Sequence, residues 1–392
     1  MFTILQSLIV PITLREILSA CNIFNSKTVE FEKLFSEFVD CEHVVLTSSG
    51  TSALYVLLKA YSLRKGDEVA VPAYVCEKVV RLILDMGYSV KFVDVEKDTY
   101  NLSVEDLNDK IDRNTKAVIA VHMFGNPCRM KEILEISRDR NAAVIEDSAQ
   151  CICAEYHNRK VGSLGDSAFF SFGEGKPITT ITGGAITTND ERLANTARSI
   201  VNKFGKNNIY RILSKLILYY LIGNRWLYGI VYGRVRSRRM ERWKELRKPI
   251  NLKTLEKKFE EVQASIGVVQ LRKLKSFNEA RYNNSMFLIE QLKEFESIRT
   301  PKILPNCKPI FLRLPIYVEN EDLKRWLLES LIRSGIDASP AYPNYLPDFF
   351  QIDGNCPNAR DLVRGTITLP VHPYVNRRDI VKIVDTIGRF VR

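Results

Sequence analysis

The sequence predicts an α/β protein built on a mainly parallel sheet with helices on both faces, followed by a smaller C-terminal α+β domain. Three observations predict it. Short apolar runs alternate with segments of helical period up to about residue 150, the spacing of a layered parallel sheet. Several of the runs stop at proline, glycine or aspartate, as in Val69-Ala70-Val71-Pro72 and Ala143-Val144-Ile145-Glu146-Asp147. After Phe259 a long helical pattern separates them from a second set of alternating residues. The 392 residues suffice for a large core and two domains, expected at 1–255, including an insert at about 203–248, and at 256–392.

The elements follow in order. Thr28–Phe38 has apolar residues at helical spacing. His43–Thr47 is a short strand, and Ser48–Leu54 leads into a helix through about Ala60. Gly66–Tyr74 is a turn, a strand and a stop at Pro72, with a helix to about Met86. Val90–Val95 and Ala117–His122 are strands, the second ending at Met123–Pro127. A helix over Met130–Arg138 leads to the strand Ala143–Asp147. Ala168–Phe172 is a buried strand, and Ile178–Thr188 reads as two strands around Gly183-Gly184. Phe259 to about Phe295 is one long helix or two in tandem. Ile310–Tyr317 alternates as a strand, Asp322–Ser334 is a helix, Ala338–Pro343 a loop, and Asn376–Ile380 starts the last helix.

Composition narrows the class. A hydrophobic content of 45% with 26% charged residues is that of a globular chain. Eight cysteines in a chain of this length read as reduced thiols in a cytoplasmic protein, and Cys151 and Cys153 as packing residues. The apolar start Met1–Val10 lacks the basic end and cleavage site of a signal peptide. No charge-free run reaches the roughly 18 residues of a spanning helix.

Ligands of such sheets bind beyond the C-terminal ends of the strands, and three stretches meet that condition. Lys176 lies in Ser171-Phe172-Gly173-Glu174-Gly175-Lys176, where glycines leave room around its amine. It reads as a surface lysine or as one that forms a Schiff base. Ser48–Leu54 opens a helix with small hydroxyl residues and a glycine, which suits a plain N-cap or a phosphate site. Asp147 follows four apolar residues and needs a partner there: a helix N-terminus, a metal, or a protonated pyridine nitrogen. Pyridoxal 5'-phosphate (PLP) fits all three stretches at once, through its aldehyde, phosphate and pyridine ring.

The combined pattern resembles the DegT/DnrJ/StrS family of PLP-dependent sugar aminotransferases. Its motifs are Ser49–Leu54, Gly66-Asp67-Glu68-Val69 with Pro72, Glu146-Asp147-Ser148-Ala149-Gln150, and Phe170-Ser171-Phe172 with Lys176 and Gly183-Gly184. Gln263–Leu271 and Leu369-Pro370-Val371-His372-Pro373 continue it. The resemblance implies an aspartate aminotransferase-like fold and a homodimer with active sites at the subunit interface. It implies Lys176 as the Schiff-base lysine, Asp147 at the pyridine nitrogen and Gln150 near the ring. Thr51, Ser52 and Ser171 would hold the phosphate, with Gly50 giving it room. It further implies amino transfer from an amino acid, glutamate in most of the family, to a nucleotide-linked keto-deoxysugar for polysaccharide or glycan synthesis. Lys176 stands where a hydroxyl-removing branch has histidine. Cys76 takes the place of an aromatic residue often set against the ring, and Thr182 that of a glutamate. The family's Gly-x-Asn-x-Arg stretch is replaced by Thr254–Glu261. A non-sugar ketone, or a membrane-associated scaffold without catalysis, remain alternative readings. Tyr342, Tyr345 and His372 are substrate-side candidates or simple packing residues.

The net charge of +11 is concentrated in one segment. Lys203–Lys248 holds 13 Lys/Arg against Glu241 and Glu245. Its first half, Ile212–Tyr228, is apolar apart from Lys215 and Arg225, and Arg234, Arg236, Arg238, Arg239 and Arg242 follow. That combination suits an interfacial helix at the inner face of an anionic membrane. It also suits a helical hairpin packed on the domain or on a dimer partner, its arginines solvated or meeting a nucleotide diphosphate. Nucleic acid has no recognition motif to support it and is not expected.

Overall fold

The computed structural model describes residues 4–7, 12–21, 26–231 and 248–391. Most of the apolar start, and Arg234, Arg236, Arg238, Arg239 and Arg242, lie outside the described residues.

Helices α1 (Leu14–Cys21) and α2 (Lys27–Val39) precede strand β1 (His43–Thr47). Then come α3 (Gly50–Ala60), β2 (Glu68–Pro72), α4 (Glu77–Asp85), β3 (Ser89–Val93), α5 (Val104–Lys110), β4 (Thr115–Val121), α6 (Met130–Asp139) and β5 (Ala143–Asp147). The hairpin β6 (Glu155–Tyr156) and β7 (Arg159–Lys160) leads to β8 (Ser167–Ser171) and β9 (Gly184–Thr188). The large sheet has the order β1-β9-β8-β5-β4-β2-β3, and only β9 runs against its neighbours. Its central strands are near-continuous apolar runs because helices cover both faces.

Helices α7 (Glu191–Asn202) and α8 (Ile209–Ile222) come next, and α9 includes residues 225–231. The long pattern after Phe259 is a single helix, α10 (Glu261–Leu292), opened by a capping box between Glu260 and Gln263. The C-terminal part holds β10 (Ile298–Arg299), β11 (Cys307–Lys308), β12 (Leu314–Val318), α11 (Glu321–Arg333), α12 (Leu346–Phe350), α13 (Pro357–Gly365), β13 (Thr366–Leu369) and α14 (Arg377–Val391). Strands β10, β12 and β13 form a second, antiparallel sheet, whereas β11 pairs with β6. Near the N-terminus, Leu5 bridges to Ile336.

Three expectations are corrected. Residues 178–182 are not a strand: Thr179 Oγ1 donates to the Phe172 carbonyl at 3.2 Å, and Ile181 has φ of 73°. Hydroxyls that bond the local backbone compete with a ladder, and a β-branched residue at positive φ cannot continue one. The strand expected from Ile310 begins at Leu314, because the Ile310 and Leu312 amides donate to Gly125 and Phe124 carbonyls instead. A Cβ on Gly125 would stand 2.0 Å from the Ile310 oxygen, so only glycine permits that crossing. Strand β3 stops at Val93 rather than Val95, since the Asp94 carboxylate turns aside to accept from the Asn358 and Ala359 amides at the start of α13.

Among the described residues, no helix is long and apolar enough to cross a membrane. All eight cysteines are free thiols. Cys151 is fully buried, and burial pushes the Cys153 thiol up to about 12.

Candidate active site

A cavity of about 430 Å³ opens at the C-terminal ends of β1, β4, β5 and β8. Its lining includes Gly50, Thr51, Cys76, Asp147, Gln150, Ser171 and Lys176. Seven of the eight residues expected at a cofactor from the sequence therefore share one cavity. A wider cleft of about 1020 Å³, lined by Asp67, Lys116, Ala143 and Asp166, carries none of them.

The eighth residue, Ser52, turns away. It is fully buried, and its hydroxyl donates to the Leu255 carbonyl at 2.7 Å. Ser52 thus fastens the Thr254–Glu261 stretch to α3. Glu256 adds to this by accepting from the Tyr55 hydroxyl at 2.7 Å.

The start of α3 is built as an anion cradle. The Ser49 hydroxyl takes the Ser52 amide at 3.0 Å, leaving the first-turn amides of Gly50 and Thr51 without helical partners. Ser171 reaches this turn from β8: a Cβ on Gly50 would stand 2.8 Å from the Ser171 Cβ. Gly184, opening β9, closes the other side, with no room for a Cβ beside the Ser49 carbonyl. Glycine here keeps the backbone open to a phosphate.

Asp147 ends β5, only 7% exposed. Its Oδ1 accepts from the Ala149 amide at 3.0 Å, and among the described residues no cation forms an ion pair with it. Burial raises its carboxyl above the ordinary range, opposed by the charge of Lys176. Lys176 is half-buried on the loop after β8. Burial lowers its ammonium below the ordinary lysine value, against the attraction of Asp147, and so favours the neutral amine a nucleophile requires. Behind the loop, Arg281 of α10 is fully buried and donates to the Pro177 carbonyl at 3.0 Å. Burial without a carboxylate brings its guanidinium down to about 10.

Glu146, beside Asp147, faces away from the cavity. It accepts from the Gly162, Leu164 and Gly165 amides, each at 2.8 Å. It also bonds His122 Nε2 at 3.0 Å. Because His122 Nδ1 accepts from the Cys128 amide, the ring proton sits on Nε2 and points at Glu146.

Gln150 Nε2 donates to the Tyr342 hydroxyl at 3.1 Å, while Gln150 Oε1 is buried with no partner. Tyr342 therefore belongs to the cavity. Tyr345 and His372 do not line it: the Tyr345 hydroxyl donates to the Gly354 carbonyl, and His372 Nε2 to the Gln6 carbonyl. Burial holds the His372 imidazole down to about 3. Cys76, at the start of α4, has its thiol pushed up by burial and by Glu77.

Glu174 and Lys215 are among the cavity residues that the sequence reading did not single out. Glu174, on the lysine loop, binds Lys215 Nζ of α8 at 3.2 Å, and both line the cavity. The available signal was the register of α8: Lys215 neighbours Leu216 and lies three residues after Ile212, both buried.

These residues fit PLP. The cradle would hold its phosphate, the buried and unpaired Asp147 its pyridine nitrogen, and Lys176 its aldehyde, while Gln150 Oε1 lacks a hydrogen-bond partner that a ring hydroxyl would supply.

Comparison with known proteins agrees. The chain is 29% identical over 374 residues to the uncharacterized protein MJ1066 of Methanocaldococcus jannaschii, covering 93% of this chain and 90% of that protein. It is 26% identical over 376 residues to dTDP-3-amino-3,6-dideoxy-alpha-D-galactopyranose transaminase of Aneurinibacillus thermoaerophilus, covering 94% and 91%. The solved structure of Helicobacter pylori PseC, an aminotransferase involved in the biosynthesis of pseudoaminic acid, has the same fold, with a TM-score of 0.80 at 19% identity over 99% of both chains. The sequence profile of one family matches residues 13–388. The chain belongs to the DegT/DnrJ/EryC1/StrS aminotransferase family.

Proposed function

We propose that this PLP-dependent aminotransferase moves an amino group from an amino acid, glutamate, to a nucleotide-linked keto-deoxysugar used in glycan synthesis. One observation carries the reading: a lysine and an unpaired buried carboxylate share a cavity with an anion cradle. The transaminase relative named for a dTDP-linked amino sugar supports the acceptor class.

PLP, when bound, supplies an aldehyde that condenses with amines and a ring that accepts an electron pair from the reacting carbon. The chain supplies the rest. Gly50, Thr51 and Ser171 bind the phosphate. Asp147 keeps a proton on the ring nitrogen. The Lys176 amine holds the cofactor and, once displaced by the donor, takes the proton from the donor's α-carbon and returns it elsewhere. Gln150 and Tyr342, bonded to each other in the cavity lining, would border the ring. Glutamate leaves as its keto acid, and the ketone acceptor leaves as an amine.

The test is formation of 2-oxoglutarate from glutamate on adding nucleotide-linked keto-deoxysugars. Turnover with those acceptors and not with simple keto acids is expected. Turnover confined to non-sugar ketones would overturn the acceptor assignment. Lys215 in the cavity lining gives a second expectation: Lys215→Ala raises KM for the nucleotide-linked acceptor about tenfold, with kcat nearly unchanged. An equal fall in kcat alone would show that Lys215 does not bind the acceptor's phosphates.

The phosphate cradle is tested separately. Gly50→Ala forces a Cβ against Ser171, and PLP affinity by equilibrium dialysis falls about tenfold or more. Unchanged affinity would move the phosphate elsewhere.

A further inference from the structure

The backbone around Lys176 is held from behind at one point. Arg281 Nη2 of α10 donates to the Pro177 carbonyl at 3.0 Å. Among the described residues, no other element hydrogen-bonds the backbone of residues 174–178. Pro177 adjoins Lys176, so the bond lies one residue from the amine-bearing side chain. Further on, the Thr179 amide donates to Gln270 Oε1 of the same helix at 3.3 Å.

The other prong of the guanidinium, Nη1, donates to Asn278 Oδ1 at 3.2 Å, one helical turn away. Asn278 Nδ2 in turn donates to the Ile152 carbonyl at 2.9 Å. Ile152 lies two residues after Gln150, in the loop that leaves β5 at Asp147. Arg281 and Asn278 therefore join the loop of Lys176 to the loop of Asp147 and Gln150. Their support is a single helix of 32 residues.

Stability alone does not favour this arrangement. Arg281 is 2% exposed, and no carboxylate offsets its charge among the described residues. Its Nε has no hydrogen-bond partner. A buried cation without a counter-charge opposes folding, and an apolar side chain of similar length would fill the space without that cost. What the guanidinium adds is a rigid planar fork that reaches two acceptors at once, which the single head of a lysine does not reproduce. Rigid placement is what the work of Lys176 needs. An amine that must meet an aldehyde and then a proton on one carbon loses rate steeply when misplaced by about 1 Å.

We propose that Arg281 is a positioning residue for transamination: through Pro177 and Asn278 it fixes the Lys176 amine relative to Asp147. This role rests on the assignment of Lys176 as the amine that holds the cofactor.

The experiment compares wild type with Arg281→Met and Arg281→Lys, each as the cofactor-free full chain. The rate at which the visible band appears on adding PLP reports how well the amine is placed. Affinity for pyridoxamine phosphate, by equilibrium dialysis, reports the rest of the site, because that molecule has an amine in place of the aldehyde and does not condense with Lys176. In Arg281→Met the band is expected to form about thirtyfold more slowly, and kcat to fall by about the same factor. Pyridoxamine phosphate affinity and KM for glutamate are expected to stay within about threefold of wild type. Arg281→Lys keeps the charge without the fork and is expected to slow both by about tenfold. It serves in place of the methionine variant where that variant does not fold. Band formation and kcat at wild-type rates would overturn the proposal. So would a loss of pyridoxamine phosphate affinity equal to the loss of rate, which would make Arg281 a support for the whole site. A wild type that forms no band would overturn the assignment of Lys176 itself, and this role with it.

Discussion

Replacing Lys176 by alanine will lower transamination by about 10⁴-fold or more, because one amine both holds the cofactor and moves the proton. The substitution removes a side chain from a cavity wall and no described hydrogen bond, so the fold survives. The check is 2-oxoglutarate formation beside the visible absorbance of the protein with PLP. Wild type gains a coloured band that bleaches with glutamate, and the variant shows neither the band nor the response. Activity within tenfold of wild type would mean that another group does the work assigned to Lys176.

Asp147→Asn will cost about a thousandfold in rate, since a neutral amide does not keep the ring nitrogen protonated. The same change should make the cofactor-free protein more stable at neutral pH. The sign follows from the direction of the shift. Burial raises the folded carboxyl above its unfolded value, so ionising Asp147 opposes folding at every pH above the folded value. Asparagine removes that penalty, and the gain in Tm should fade as pH falls toward the unfolded carboxyl range. Loss of rate without a pH-dependent gain in Tm would mean that Asp147 is not strained in the empty site. Together the two readouts describe an active site that trades stability for chemistry.

The large sheet was legible because its strands are short apolar runs ended by residues that cannot continue a ladder, such as Pro72 and Asp147. The Lys176 and Asp147 positions were legible for a related reason: a polar residue just after a buried strand lies where parallel sheets bind ligands. Local reading failed where distant chain decided the outcome. Residues 310–312 spend their amides on Phe124 and Gly125, which no local pattern announces. Ser52 looked like a phosphate ligand until its hydroxyl met Leu255, and Tyr342 and Lys215 reach the cavity from elements far from the lysine loop. Hydroxyl and ammonium groups on mobile side chains report their residue type in sequence, but not the direction in which the fold aims them.

Glu146 and Asp147 stand next to each other on β5 and inhabit different worlds: one is saturated with donors beneath the sheet, the other keeps a single amide bond beside the cavity. Because strand side chains alternate, the pair works like a reading frame. Deleting one residue upstream in β5 would turn the aspartate to the scaffold face and draw the glutamate back to the place of Ile145 in the apolar core, keeping both acids and wrecking both tasks. The strand can drift in the identity of its apolar residues over evolutionary time, but not in their number.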